Sequence, residues 1–169
     1  MKVYLAGPDV FFPDAKAHGE RLKATCVQYG LEGVFPLDAN LDLIGLSKSD
    51  AANAIYKANV ALIDGCDALI ANMTPFRGVN MDTGTAFEMG YAKAQGKVVV
   101  GYSENPALYL DRVKSGFSTQ VDEAGELRDG DGLVVEDFGL TDNLMMVCGA
   151  EFVGATFEET AHYLQQKLA

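Results

Sequence analysis

The feature that most constrains this chain is an alternation of short apolar β-favouring segments with longer helical patterns, which continues to about residue 102. Strands and helices that alternate in this way build a parallel sheet with helices on both faces and right-handed crossovers. Ligands of such sheets bind at the carboxyl ends of the strands. The predicted strands are at residues 2–7, 32–37, 67–73 and 97–102, and the predicted helices at 14–30, 51–65 and 82–96, with a polar connection at 38–50.

The remaining residues are predicted to complete one domain spanning residues 1–169. Residues 103–155 are rich in glycine and acidic side chains, which favours loops with one or two strands and a sheet of about five strands in all. Residues 156–169 are predicted to form a terminal helix, since Thr156 and Glu159 have the spacing of a capping box. Its apolar positions are Phe157, Ala161, Leu164 and Leu168.

Charge and cysteine content exclude several classes of function. The chain has 24 acidic and 13 basic residues, a net charge of −11, and no run of Lys or Arg, which argues against nucleic acid as a partner. Its 3 cysteines form no CxxC pair, so neither a disulfide framework nor a metal site is expected. The first apolar run is too brief for a signal peptide, and no segment reaches the ~18 apolar residues of a membrane span. We therefore expect a cytoplasmic, reduced protein.

The most informative segment lies at residues 82–96. Asp82 is placed to cap a helix, and Glu88 follows six residues later with no basic side chain three or four positions away. Gly84 leaves space one turn below Glu88. Two interpretations remain open from spacing alone: a capping residue with a solvated glutamate, or a carboxylate pair for glycosidic chemistry. Glycine-rich phosphate-binding motifs are absent, which favours an unphosphorylated ligand.

Four segments, taken in order, carry a resemblance to a known family. VYLAGPDVF at residues 3–11, ANMTPFRG at 71–78, DTGTAFEMGYAKAQGK at 82–97 and TDNLM at 141–145 are similar to the nucleoside 2-deoxyribosyltransferase family. The resemblance implies a flavodoxin-like, doubly wound parallel sheet and a cytoplasmic enzyme of deoxyribonucleoside salvage without a cofactor. Such an enzyme moves 2-deoxyribosyl groups between nucleobases of deoxyribonucleosides through a covalent glycosyl-glutamate, with retention.

The resemblance also implies roles for individual residues. Glu88 aligns with the family's nucleophile, Tyr4 with the tyrosine that orients it, and Asp82 with the aspartate that binds the sugar hydroxyl side. Asn143 and Met145 align with a segment that completes a neighbouring subunit's site, which implies a homo-oligomer.

Asn59 departs from the family pattern, because some members have an aspartate there that is proposed to handle the base proton. An amide can hydrogen-bond a base but cannot act as a Brønsted acid. Protonation of the leaving base therefore falls to Asp82, water or another group. The family's C-terminal carboxylate is not carried over to the helix-like residues 165–169.

Aromatic and basic side chains near the predicted strand ends have two interpretations. Phe11, Phe12 and Phe76 are expected either to stack on a base or to belong to the core. Arg77 is expected to contact a base carbonyl or to have a structural role, rather than to pair with a carboxylate that must stay reactive. The two histidines, at positions 18 and 162, are expected on helix surfaces.

Two other functions compete with deoxyribosyl transfer. A hydrolase of deoxynucleosides or their 5′-monophosphates would use the same carboxylate with water as the acceptor; Asp9 and Asp14, where a phosphate specialist needs donors, favour the nucleoside. A non-catalytic nucleotide-sensing module on the same scaffold is the second alternative. The preference between purines and pyrimidines stays open.

Overall fold

The computed structural model describes residues 1–167. Its strands are β1 (Lys2–Ala6), β2 (Glu32–Val34), β3 (Ala68–Asn72), β4 (Val98–Tyr102), β5 (Thr119–Val121), β6 (Leu127–Asp129) and β7 (Val153–Gly154). Its helices are α1 (Ala15–Gln28), α2 (Lys48–Asp64), α3 (Thr83–Ala94), α4 (Tyr109–Gly116), α5 (Leu144–Val147) and α6 (Phe157–Lys167). Short 3-10 helices follow β1 at Pro8–Phe11 and β2 at Pro36–Ala39.

Five strands form one parallel sheet in the order β2-β1-β3-β4-β7. Tyr4 of β1 lies beside Leu69 of β3, which lies beside Val99 of β4. Every residue of β3 is buried, as a central strand covered on both faces requires. The predicted flavodoxin-like α/β sheet of about five strands is thereby confirmed.

The two faces of the sheet are covered by different helices. Alternate residues of each strand point to opposite faces, so Val3 and Leu5 pack with α1 and α6, whereas Tyr4 and Ala6 pack with α2 and α3. Tyr4 lies in the middle of β1 and is fully buried. Its ring therefore belongs to the α2 and α3 face of the core.

Local signals placed most helix ends correctly. Gly30 and Gly96, the predicted helix terminators, both adopt the left-handed conformation, with φ of 70° and 75°. Helix α2 begins three residues before the predicted start at residue 51, because Ser47 Oγ accepts a hydrogen bond from the Asp50 amide at 3.1 Å.

The last third of the chain is more ordered than the sequence indicated. The prediction of loops with one or two strands at residues 103–155 was wrong in that α4 and α5 are helices and the segment has three strands. Strands β5 and β6 pair as an antiparallel hairpin outside the main sheet, and β7 joins the main sheet. Frequent glycine and aspartate masked the eight-residue helix α4, whose buried residues are Arg112 and Val113.

The terminal helix α6 begins after the predicted capping residue. Thr156 Oγ1 accepts a hydrogen bond from the Glu159 amide at 3.1 Å, while the Glu159 carboxylate accepts one from the amide of Ala155 at 2.8 Å. Phe157, Ala161 and Leu164 are buried as predicted, and the expected apolar Leu168 lies outside the described residues. Within residues 1–167, no helix combines the length and apolar character needed to cross a membrane.

Candidate active site

A cavity of about 680 Å³ lies where β1 and β2 end, within the ~300–1,000 Å³ of ligand-binding pockets. Gly7, Val10 and Phe11, which follow β1, form one wall. Helix α2 and the first two turns of α3 supply others, including Asn59, Asp82, Gly84 and Glu88. The cavity therefore occupies the edge of the sheet at which ligands bind in folds of this type.

Glu88 is held on one side of its carboxylate. The Tyr4 hydroxyl donates a hydrogen bond to Glu88 Oε1 at 2.7 Å, and Asn59 Nδ2 lies 3.4 Å from the same oxygen. Oε2 accepts no hydrogen bond within residues 1–167. Because no buried side-chain oxygen in these residues lacks a hydrogen-bond partner, Oε2 is not buried and is accessible from the cavity that Glu88 lines.

Burial and nearby charge set the protonation of this pair. The pKa of Glu88 is raised to about 7: burial is the largest cause and the negative charge of Asp82 contributes, whereas the hydrogen bonds from Tyr4 and Asn59 oppose the rise. Burial also raises the pKa of Tyr4 well above its ordinary value, with the Glu88 carboxylate as a second cause. Tyr4 is consequently a proton donor to Glu88 at any physiological pH.

Asp82 caps α3 and also lines the cavity. Its Oδ2 accepts hydrogen bonds from the Thr85 amide at 2.8 Å and the Thr85 hydroxyl at 2.9 Å. The other oxygen, Oδ1, has no partner among the described residues and is left for a ligand. A Cβ at Gly84 would lie 3.0 Å from Asp82 Oδ2, so a side chain at this position would crowd the carboxylate.

Of the three predicted stacking phenylalanines, only Phe11 lines the cavity. Its ring stacks on Phe76, with the centroids 5.4 Å apart and the planes 12° apart. The Arg77 guanidinium lies over both rings, 5.0 Å from the Phe11 centroid and 4.6 Å from that of Phe76. Arg77 therefore has a structural contact with the aromatic wall, and it makes no salt bridge to a carboxylate within the described part of the chain.

Phe12 lies outside the cavity, edge-on to His18 at 5.0 Å. His18 was expected on the surface, which was wrong: its Nε2 is 2.7 Å from Asp9 Oδ1, and Asp9 is only 2% exposed. Asn72 Nδ2 donates to both oxygens of that carboxylate, at 3.2 and 3.1 Å. A Cβ at Gly7 would collide with the Asp9 carboxylate, so the close approach of the two requires glycine. No pattern in the sequence indicated this cluster.

Asn143 and Met145 do not line this chain's cavity. Asn143 caps α5 by accepting a hydrogen bond from the Met145 amide at 3.0 Å, and its Nδ2 donates to Glu136 at 2.8 Å. The Met145 side chain is 72% exposed. A single chain therefore presents this apolar side chain to solvent and not to its own cavity.

The segment that bears Asn143 is tied to the loop that precedes Asp82. Asp142, which is 1% exposed, accepts hydrogen bonds from the Met81 amide at 2.9 Å and the Asn143 amide at 2.8 Å. Arg112 lies 3.3 Å from the same carboxylate and donates to the Val79 carbonyl at 2.8 Å. The loop that precedes Asp82 and the segment that bears Asn143 are thus held together by one cluster of polar contacts.

Much of the cavity wall that follows β2 was not predicted from the sequence. Residues 38–50 were interpreted as a polar connection, yet leucines within and next to this stretch line the cavity. The spacing of these leucines was the signal that could have indicated an apolar wall. The missed lining residues include Lys16, Leu37, Asn40, Leu41, Leu43 and Tyr56. The part of the cavity wall that residues 37–43 form is therefore mostly apolar, and these residues are distant in sequence from the carboxylates of Asp82 and Glu88.

The fold and this site define a flavodoxin-like α/β protein with a largely buried carboxylate at the ligand-binding edge of its sheet. The chain belongs to the nucleoside 2-deoxyribosyltransferase family, whose family model matches residues 3–145. It is thus a member of a family of pentosyl-transferring enzymes.

Known proteins support this placement over nearly the whole chain. A solved structure of the 2-desoxiribosyltransferase from Leishmania mexicana is 33% identical, with a TM-score of 0.73, and the match covers 98% of this chain and 97% of that one. An uncharacterized protein of Schizosaccharomyces pombe is 34% identical in a 155-residue alignment, and the match covers 85% of this chain and 74% of the other. A 2-deoxyribosyltransferase from Bacillus psychrosaccharolyticus, 17% identical with a TM-score of 0.64 over 96% of this chain and 92% of its own, shares the fold.

Proposed function

We propose that the protein transfers the 2-deoxyribosyl group of a deoxyribonucleoside from one nucleobase to another through a covalent bond to Glu88. The observation that carries this proposal is the carboxylate itself. One oxygen is held by Tyr4 and Asn59, while the other is accessible from a ligand-sized cavity. A carboxylate positioned in this way is suited to attack an anomeric carbon from a fixed direction.

The first half-reaction expels the donor base. An electron pair of Glu88 Oε2 forms the bond to C1′ while the electron pair of the C1′–N bond leaves with the base. Asn59 stabilises the carboxylate but cannot protonate the base, so the proton comes from Asp82, water or another group. A 2-deoxy sugar lacks the electron-withdrawing 2′-hydroxyl, which makes this departure easier.

The second half-reaction reverses the first with a new base. A ring nitrogen of the acceptor base attacks C1′, the bond to Glu88 breaks, and the carboxylate regains its electron pair. The acceptor then loses its N–H proton. Because each step inverts C1′, the product keeps the configuration of the donor.

Two neighbouring side chains support the proposed roles. Tyr4 holds Glu88 Oε1 and stays protonated, so it can orient the nucleophile through both steps. Asp82 Oδ1 is free to accept a hydrogen bond from a sugar hydroxyl, while Oδ2 is engaged in capping α3. The same group thus fixes the start of the helix and the position of the sugar.

The Asn143 and Met145 segment is proposed to complete the site of a second copy of the chain. Met145 is 72% exposed and neither residue lines the cavity of its own chain. An exposed apolar side chain on a short helix is suited to burial against a partner. On this proposal the active form is a homo-oligomer.

The central test is base exchange. Deoxyinosine with adenine is expected to give deoxyadenosine and hypoxanthine, with retention at C1′ by NMR. In the Glu88→Gln variant the rate should fall below about one thousandth of the native rate. Acid quenching during turnover should trap a protein whose mass has increased by one deoxyribosyl group, and Glu88→Gln should not show the adduct. Undiminished exchange by this variant would refute the nucleophile.

Product analysis without an acceptor base separates transfer from hydrolysis. A transferase should hold the sugar until a base arrives, so free deoxyribose should form slowly and be suppressed by added base. A hydrolase would release deoxyribose at the same rate with and without the base. A non-catalytic module would bind nucleosides without turnover and without regard to Glu88.

A further inference from the structure

Lys16 stands apart from the other side chains of the cavity. Among the lining residues that the structure describes, it carries the one cationic group, and the carboxylates of Asp82 and Glu88 carry the negative charge. Its ammonium makes no hydrogen bond or salt bridge within residues 1–167. Lys16 is exposed, so its ammonium lies at the edge of the cavity and is available to a ligand there.

The topology places Lys16 and Glu88 on different walls. Lys16 is the second residue of α1, which packs on one face of the sheet, whereas Glu88 belongs to α3 on the other face. Lys16 also follows Phe11, the aromatic ring of the cavity, within the same loop and helix start. A nucleoside whose sugar lies at Glu88 would therefore extend its base toward Phe11 and Lys16.

We propose that Lys16 recognises the base by donating a hydrogen bond to the exocyclic oxygen at position 6 of a purine or position 4 of a pyrimidine, and that the enzyme accordingly favours bases with an oxo group there over bases with an amino group there. This inference rests on the proposed function and extends it to the base. The favoured class contains hypoxanthine among purines and uracil among pyrimidines. The disfavoured counterparts are adenine and cytosine.

The chemistry of the ammonium group decides between these bases. A lysine has three donors and no acceptor, so it matches a carbonyl oxygen but not an exocyclic amino group that also donates. An amino base would face the ammonium with a second donor and would leave it to water. Because Lys16 is exposed, the discrimination corresponds to the loss of one charge-assisted hydrogen bond.

The same contact would assist departure of the base. When the C1′–N bond breaks, its electron pair leaves with the base, and in an oxo base the negative charge spreads onto the exocyclic oxygen. A hydrogen bond from Lys16 stabilises that charge without transferring a proton. Lys16 would thus supply part of the leaving-group stabilisation that the amide of Asn59 cannot provide.

A phosphate is a poorer match for this lysine. A 5′-phosphate carries up to two negative charges and is usually held by several donors. Around Lys16 the cavity presents the carboxylates of Asp82 and Glu88, and it includes no arginine among its described lining residues. A neutral carbonyl does not incur this repulsion.

The test compares matched bases in matched variants. Exchange is measured with deoxyinosine against deoxyadenosine, and with deoxyuridine against deoxycytidine, for the native enzyme, Lys16→Met and Lys16→Arg. Lys93→Met is the control, since Lys93 is exposed in the last turn of α3 and does not line the cavity. Circular dichroism melting checks that each variant is folded.

For the native enzyme we expect kcat/KM to favour the oxo member of each accepted pair by about tenfold. Lys16→Met should remove this preference by lowering kcat/KM for the oxo base alone, with part of the loss in kcat, and Lys16→Arg should retain it. If Lys16→Met lowered kcat/KM equally for both members of a pair, or for neither, the inference about Lys16 would be overturned, whereas the proposed base exchange would not be affected. Absence of exchange with every base in the native enzyme would instead refute the proposed function.

Discussion

At the scale of single residues, the chemistry of the site depends on opposing contributions to one pKa. Burial raises the pKa of Glu88 to about 7, whereas the hydrogen bond from Tyr4 favours the charged form and limits the rise. Glu88 is thus partly ionised at neutral pH and is poorly solvated, which suits the proposed nucleophile, since it must leave again in the second step. Tyr4 accordingly controls both the direction and the charge of Glu88.

This balance predicts how activity depends on pH. Because the proposed nucleophile Glu88 can attack only as a carboxylate, kcat/KM should rise as the pH increases through about 7. Tyr4→Phe removes a hydrogen bond that stabilises the charged form, so the pKa should increase and the rising limb should move to higher pH by about one pH unit. The pH dependence of exchange at saturating acceptor measures the midpoint.

A second buried tyrosine provides the control for this prediction. Tyr102 is 4% exposed and packs on the α1 and α6 side of the sheet, without a contact to Glu88. Tyr102→Phe should leave the midpoint in place. A shift of equal size in both variants would mean that Tyr4 acts through general packing and not through its hydrogen bond.

At the scale of elements, α3 combines a structural and a chemical role at its first turn. Asp82 accepts the Thr85 amide as the helix cap, and its charge also raises the pKa of Glu88. The two roles can be separated because asparagine caps helices about as well as aspartate but carries no charge. The helix therefore offers a substitution that changes the electrostatics with little effect on folding.

For Asp82→Asn we expect a melting temperature close to that of the native protein and a rising limb of the pH profile displaced to lower pH, since a like charge near Glu88 is lost. Asp82→Ala should show the same displacement and also lose about 1 kcal/mol of unfolding free energy with the cap. Thermal melts and pH profiles of exchange check both effects.

Ser47→Ala is the matched control for the lost cap. Ser47 caps α2 through the Asp50 amide and does not line the cavity, so its removal should lower stability without moving the pH profile. If Asp82→Asn left the midpoint where it is in the native protein, the electrostatic role of Asp82 would be rejected.

At the scale of the whole molecule, the proposed shared site predicts complementation between two inactive variants. Glu88→Gln lacks the nucleophile, and the double variant Asn143→Ala, Met145→Ala lacks the segment supplied to a neighbour. In a mixed assembly, a nucleophile from one copy meets an intact segment from the other. Mixing after subunit exchange should therefore restore part of the activity, measured by base exchange and followed by light scattering for assembly size.

Two outcomes would contradict this arrangement. Full activity in a native sample whose solution mass equals one chain would show that a single copy suffices. A mixture no more active than its components, in which mass measurement confirms mixed assemblies, would show that the segment acts elsewhere. The first outcome would be informative because Asn143 is already held by hydrogen bonds to Asp142 and Glu136 of its own chain.

Much of the fold could be predicted because its signals are local. Strand β4 was recognised from a continuous apolar run, and the ends of α1 and α3 from Gly30 and Gly96. Helix α4 could not be recognised, because its short apolar pattern lies among residues typical of turns and its stability depends on Arg112, which donates to the distant Val79 carbonyl. Local propensity does not report such contacts.

The candidate site divides in the same way. Capping by Asp82 is a property of four consecutive residues and was predicted from them. The surroundings of Glu88 were predicted only through the resemblance to a family, since Tyr4 lies 84 positions away and Asn59 lies 29 positions away. Nothing in the sequence around Lys16 indicated that this residue lines the cavity, and nothing around His18 indicated its contact with Asp9.

The sequence by itself determined the order of strands and helices, the burial of the sheet on both faces and the edge at which a ligand binds, because periodicity and capping act over a few residues. Only the tertiary structure decided which side chains meet. The strand order β2-β1-β3-β4-β7 brings Tyr4 beneath α3, and the loop after β2 closes an apolar wall opposite Glu88. A raised pKa, an accessible carboxylate oxygen and an unpaired lysine in one cavity all follow from that packing.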